Sequence, residues 1–354
     1  MATLISVASG KGGVGKSVVS ANLALSLAKR GRPVILADLD VGGADAHIMF
    51  GELNPPVTLT DFLDKRVSRL EEVAIPITFH PNLRLIAGTG ETLATANLTY
   101  PKKKRLMKHF QDLETDVVVI DIGAGTNYHA LDFFLMADIH VAVANPEPTA
   151  VLDLYRFIKL AAIRCVLSCF LSRSAMADAL SSRDFTSVEE VMDVAGGTDA
   201  EGRNIAAAAL QSFRPGLIIN RATSGSHVNV LYLRKILQQY IGGDLTLLGE
   251  IPDDPAVSQA IRKFLPVIEA APSSPATQSL LAISGILEQF VAVQIRNKME
   301  QTKQAEETPI TVLLSNPTSS RDPQVEKSDV PPASLEPRQP ASTTVIQKAS
   351  RLVS

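Results

Sequence analysis

The run Gly10-Lys11-Gly12-Gly13-Val14-Gly15-Lys16-Ser17 packs glycines, two lysines and a hydroxyl into one short stretch. Glycine tolerates the left-handed backbone that turns successive N–H groups towards one point, so such a run can curl around a chain of phosphates. An apolar run precedes it, and a helix is expected from about Lys16. That helix aims the positive end of its dipole at the same point. In this setting Lys16 reaches the β- and γ-phosphates of a bound triphosphate, and the Ser17 hydroxyl offers an oxygen ligand to magnesium. Lys11 is surplus to that chemistry. It is either a solvated loop cation or a second positive charge for the transferring phosphoryl group.

Acids recur where apolar runs end. Val34-Ile35-Leu36-Ala37 runs into Asp38 and Asp40, and Val117-Val118-Val119-Ile120 runs into Asp121, Gly123 and Gly125. An acid at a strand end is often only the cap of the next helix. As further pieces of a phosphate site they instead belong to a nucleotide pocket. Asn145-Pro146-Glu147 closes another run, with Asp153 six residues on; the plain alternative is a loop acid and a first-turn acid favourable to a helix dipole. Asn220-Arg221 and Ile251-Pro252-Asp253-Asp254 close two more, and each alone would pass for an ordinary turn.

Something must hold these pieces together. Short β-rich runs (4–8, 33–37, 83–87, 116–121, 139–144, 216–220, 245–251 and 266–269) alternate with helical patterns (16–30, 101–113, 131–136, 149–170, 228–240 and 276–297). That rhythm predicts an α/β fold, doubly wound, with a mostly parallel sheet flanked by helices. The runs are continuously apolar, as strands covered on both faces should be. Ligands of such sheets sit at the carboxyl ends of the strands, where the glycine run, the strand-end acids, Asn145 and Asn220 fall. A helical insertion interrupts the rhythm over 172–213, with helical patterns at 187–194 and 205–213 and a loop through Gly196, Gly197, Asp199 and Gly202. One ATPase domain is expected over 1–298. Pro, Ser, Thr, Gln and Glu dominate 299–354, which predicts a disordered C-terminal tail. Its end, 344–354, places Val345, Ile346, Ala349, Leu352 and Val353 on one face of a short amphipathic helix flanked by Lys348 and Arg351.

The chain has 354 residues, 45% hydrophobic, with a net charge of −3. The charge gives no global pull towards nucleic acid or anionic lipid. No apolar run reaches the ~20 residues that cross a bilayer, and Met1 to Ala8 lacks the basic start of a signal peptide. A cytoplasmic protein is expected. The two cysteines, Cys165 and Cys169, are expected to be small buried side chains.

The Lys-Gly-Gly-Val-Gly-Lys-Ser order, the two strand-end acids and Asn145-Pro146-Glu147 together resemble the MinD/ParA superfamily of deviant P-loop ATPases, closest to MinD- and FlhG-like positioning ATPases. The likeness covers residues 2–295 and is densest before 155. It implies ATP as the nucleotide and a homodimer formed on ATP. Lys11 would cross to the sister copy's nucleotide, and Glu147 and Asp153 would meet the crossing lysine. Asp38 would lie near the magnesium shell, Asp40 would position the attacking water, Asp121 would hold magnesium through water and Gly123 would follow the γ-phosphate. Asn220, Arg221 and Pro252 would hold the adenine. Two departures stand out. The stretch from Asn145 to Asn220 is longer than in MinD, and the leader with which many FlhG proteins engage a partner GTPase is not expected ahead of the first strand.

The resemblance implies a slow, partner-stimulated ATPase switch that positions a flagellum, pole or division machinery. Its activator or cargo is a protein the sequence does not name. A peripheral membrane contact through 344–354 belongs to that reading. The alternative is a ParA-like DNA-segregation ATPase, with Lys102, Lys103, Lys104, Arg105 and Lys108 as the candidate DNA-binding cluster. A third reading, an iron–sulfur carrier ATPase, needs paired cysteines, and Cys165 and Cys169 have the wrong spacing.

Overall fold

Thr3–Ala8 forms β1, every residue of it buried. The computed structural model describes residues 2–40, 43–88, 98–170, 185–198, 200–225, 228, 230–241 and 244–307. After β1 come α1 (Lys16–Lys29), β2 (Val34–Leu39), α2 (Leu59–Leu63), β3 (Ala74–Pro76), β4 (Leu83–Ile86), α3 (Tyr100–Gln111) and β5 (Val117–Ile122). Then follow α4 (Tyr128–Leu135), β6 (Ile139–Ala144), α5 (Pro148–Ser168), α6 (Val188–Thr198), α7 (Ala200–Ser212), β7 (Gly216–Ala222), α8 (Val230–Ile241) and β8 (Thr246–Pro252). The last helices are α9 (Pro255–Arg262), α10 (Val267–Ala270) and α11 (Pro275–Glu307).

The strands lie in one sheet in the order β3-β4-β2-β5-β1-β6-β7-β8. All pairs are parallel except β3 with β4, where Ile75 opposes Leu85. Alternation within each strand feeds two cores. Ile35, Ala37, Val118 and Ile120 face one side, under α3 to α8; Val34, Leu36, Val117 and Val119 face the other, under α1 and α9 to α11. This is the two-period of a strand buried on both faces. The chain passes from β5 across β1 to β6, so the carboxyl end of β1 lies at the point where the winding reverses.

Several elements depart from expectation. Residues 266–269 are helix, not strand: Pro266 starts α10, and Ile268 donates its amide to Asn22 Oδ1, tying α10 to α1. The three-residue β3 is too short to show a period in sequence. Gly196 and Gly197 are helical rather than looped: α6 runs through both and α7 begins at Ala200 and takes in Gly202, while Asp199 lies outside the described residues. A helical glycine costs about 1 kcal/mol, and buried Val191, Ala195, Ala206 and Leu210 offset it by packing into the first core. The helix predicted to end near 297 runs on to Glu307, because Lys, Gln, Ala and Glu readily extend a helix already nucleated. By length and composition α11 could also cross a membrane, contrary to the expectation of no such run. Its Leu280, Ile283, Leu287 and Val291 are instead buried in the second core. Cys169 is exposed rather than buried, while Cys165 is half-buried with its thiol pushed up to about 11 by burial. The segment 344–354 and residues 172–184 lie outside the described residues.

Candidate functional site

The loop from β1 to α1 is held from outside as well as by its own glycines. Gly13 and Gly15 have φ of 80° and 87°, the left-handed region that side chains avoid. A Cβ on Gly10 would stand 2.1 Å from the Asp153 carbonyl oxygen, so α5 presses directly on the loop. Asn220, at the end of β7, donates its amide to the Val14 carbonyl at 2.8 Å. Its nitrogen lies only 2.3 Å from where a Cβ on Gly15 would be. The ends of β1 and β7 and the first turns of α5 thus converge on one cradle.

A cavity of about 450 Å³ opens over it. Ser9, Gly12, Gly13, Gly15, Lys16 and Ser17 form one wall, Asp40, Gly43 and Asp45 another, and Val18, Ile48, Met49 and Ile261 an apolar side. Gly12 faces Ala124 of the β5–α4 loop. Lys16 is buried, its ammonium 2.7 Å from Asp121 Oδ1 and 4.0 Å from Asp40 Oδ2. Ser20, one turn along α1, adds its Oγ at 2.9 Å from the same Asp121 oxygen. The other carboxylate oxygen, Oδ2, is buried without a hydrogen-bond partner among the described residues. An orphaned carboxylate oxygen is costly in a protein interior. Beside a glycine cradle and a serine hydroxyl, it suits the hydration shell of Mg2+, so the residues fit a magnesium–triphosphate.

Asp38 is fully buried and does not line the cavity. Its two oxygens accept the amides of Asp40 at 2.9 Å and Ala46 at 3.1 Å, which folds the segment after β2 back over the strand end. Burial, then the nearby Asp121 charge, pushes its carboxyl up to about 8. The same two causes raise Asp45. A Cβ on Gly123 would lie 3.2 Å from Asp40 Oδ1, so the segments after β2 and β5 touch there.

Lys11 is 40% exposed and donates to Thr149 Oγ1 at 3.0 Å and Glu147 Oε2 at 3.4 Å of its own chain. Asp153 pairs with Arg156 instead. Arg221 takes a left-handed φ of 57° and stands 3.6 Å from Asp253, while Pro252 pairs with Ala222 in the sheet. Asn220, Arg221 and Pro252 lie outside the cavity wall. Sequence patterns had not singled out Asp45, Ile48, Met49 or Ile261; the glycines preceding Asp45 were the one available signal. In the basic cluster of α3, Lys102 pairs with Asp64, Lys103 with Asp132, and Arg105 stacks on Phe62 while donating to its carbonyl.

A parallel sheet with a glycine-rich loop at its winding reversal, a buried lysine and strand-end acids defines a P-loop ATPase, whose ligands are ATP and Mg2+. The chain belongs to the CobQ/CobB/MinD/ParA nucleotide-binding domain family, matched over residues 5–267. An uncharacterised ATP-binding protein of Methanocaldococcus jannaschii is 27% identical over 81% of this chain and 88% of its own. The antiactivator FleN of Pseudomonas aeruginosa is 29% identical over 79% of this chain and 84% of its own. The flagellum site-determining protein YlxH of Helicobacter pylori is 37% identical over 44% of this chain and 52% of its own. The septum site-determining protein MinD of Pyrococcus horikoshii, solved with Mg-ADP, shares the fold with a TM-score of 0.58. It is 21% identical, and the match covers 83% of this chain and 98% of that one.

Proposed function

We propose that this chain is an ATP-hydrolysing dimerisation switch of the MinD/FlhG kind that positions a cellular structure, and that it works in the cytoplasm. The names of its relatives, an antiactivator, a flagellum site-determining protein and septum site-determining proteins, point to flagellar or division machinery. The observation that carries the reading is the buried Lys16–Asp121 pair beneath the glycine cradle, with Asp121 Oδ2 left unpartnered among the described residues. Burying two charges is expensive. The arrangement suits a lysine that exchanges its carboxylate for phosphate oxygens when a nucleotide enters.

In this mechanism the amides from Gly12 to Ser17 and the Lys16 ammonium hold the β- and γ-phosphates in line for attack. Ser17 and Asp121 would hold magnesium, which would supply charge neutralisation for the phosphoryl oxygens. Asp40 accepts a proton from the attacking water and orients it. Gly123, pressed against Asp40, links that group to the segment leading into α4, so the presence of the γ-phosphate is felt outside the pocket. Lys11, exposed at the rim, reaches the nucleotide of a second copy, which makes hydrolysis slow until a dimer forms.

Calorimetry with Mg-ATP tests the core of this reading. Wild type should bind, and Lys16→Ala should lose at least tenfold in affinity, as removal of a charge-assisted contact predicts, roughly 1.5–3 kcal/mol. Absence of heat from wild type would end the proposal.

A further inference from the structure

Ser20 belongs to no phosphate-binding motif, yet it is fully buried and touches the most consequential carboxylate of the site. Its Oγ stands 2.9 Å from Asp121 Oδ1 and 3.0 Å from the Lys16 carbonyl. A hydroxyl carries one proton and must choose. The Lys16 carbonyl, inside α1, already accepts the Ser20 amide by the helical i to i−4 pattern. An ionised carboxylate is also the stronger acceptor. The proton therefore goes to Asp121 Oδ1.

That oxygen has two donors, Ser20 Oγ and Lys16 Nζ, while Oδ2 has none among the described residues. The two donors differ in what nucleotide binding asks of them. Lys16 is needed at the phosphates; Ser20, short and locked in the helix interior, cannot follow. Once Lys16 has turned away, Ser20 is the donor that remains on Oδ1. Without it a carboxylate is free to rotate about its last bond, whose profile is broad and two-fold.

We infer that Ser20 is a positioning residue for magnesium: it anchors Asp121 by Oδ1 and so reserves Oδ2 for the cation's hydration shell. This rests on the proposed nucleotide reading and goes beyond it, because the residue touches neither phosphate nor metal. Groups that orient metal-associated ligands typically change metal affinity 10- to 100-fold when removed.

The test is a magnesium titration of fluorescent mant-ATP binding, run alongside the same measurement in EDTA, on wild type, Ser20→Ala and Ser20→Thr. Ser20→Ala should raise the magnesium concentration for half-maximal tightening about tenfold and leave the magnesium-free affinity at the wild-type value. Ser20→Thr keeps the hydroxyl and should titrate like wild type. Nucleotide-free melting curves should show all three proteins cooperatively folded at the assay temperature, with Ser20→Ala melting a few degrees lower for its lost buried hydrogen bond. An unchanged midpoint in Ser20→Ala would overturn the inference alone. So would an equal loss with and without magnesium, or a Ser20→Thr as impaired as Ser20→Ala, since either marks a packing role. A wild type indifferent to magnesium would overturn the nucleotide reading and this inference with it.

Discussion

Gly10 shows how tightly single residues specify this site. Its neighbour on α5 is not a flexible side chain but the Asp153 backbone carbonyl, 2.1 Å from where a Cβ would sit. Backbone cannot swing aside, so Gly10→Ala must push α5 away from the loop or distort the loop itself. Overpacking of this kind costs about 1–3 kcal/mol. The melting temperature of nucleotide-free Gly10→Ala should fall by several degrees, with Mg-ATP affinity falling as well. An unchanged melting curve would mean that α5 yields freely. The glycines and lysines of this loop were legible in sequence because they are contiguous and each has a local chemical reason. Asp45, Ile48, Met49 and Ile261 were not. They reach the cavity from separate segments, and no spacing rule connects an isoleucine at the end of α9 with a loop at the end of β1. The part played by Asp38 was equally hidden, since strand-end acids look alike until their partners are known; here the partners are backbone amides of its own loop.

Elements were legible in proportion to their length and period. The long, continuously buried strands β1, β2, β5 and β6 gave strong signals, and β3, with three residues, gave none. The 266–269 segment misled because an apolar run after proline suits a short strand or a short helix equally well; only Asn22 on α1, reaching its amide, decides between them. One strand also carries a hidden titration. His140 on β6 packs against Phe134 and Phe213, and its Nε2 is sealed from solvent with no partner among the described residues. Burial holds its pKa down to about 4. A histidine with a depressed folded pKa contributes stability that is present above its unfolded value near 6.5 and is lost as the pH falls towards 4. The loss amounts to at most about 3 kcal/mol. His140→Phe should make the fall in melting temperature between pH 6.5 and pH 4 shallower than in wild type, the remainder coming from His47, His80 and His129, which burial also lowers. Parallel declines in the two proteins would place the acid sensitivity elsewhere.

At the scale of the whole molecule the question is where Lys11 acts. In the single chain it rests on Thr149 and Glu147, both exposed at the rim of the site, so nothing in the fold commits it to its own pocket. If it serves a sister copy, each composite site takes Asp40 from one chain and Lys11 from the other. Lys11→Ala should then keep part of its Mg-ATP binding but fail to hydrolyse it, and Asp40→Ala should fail for want of a positioned water. Mixed, the two variants form heterodimers in which the Lys11→Ala chain keeps its Asp40 and receives the lysine of the Asp40→Ala chain. Random pairing puts half of the dimers in that form with one complete site of two, so the mixture should recover about a quarter of wild-type activity per chain. A lysine acting within its own chain predicts no recovery at any mixing ratio, because each variant then lacks one member of every site. Phosphate release from the two variants, alone and mixed, separates these outcomes directly. A mixture as inactive as its components would return Lys11 to the role of a surface cation held by Glu147, and hydrolysis would no longer depend on a second copy.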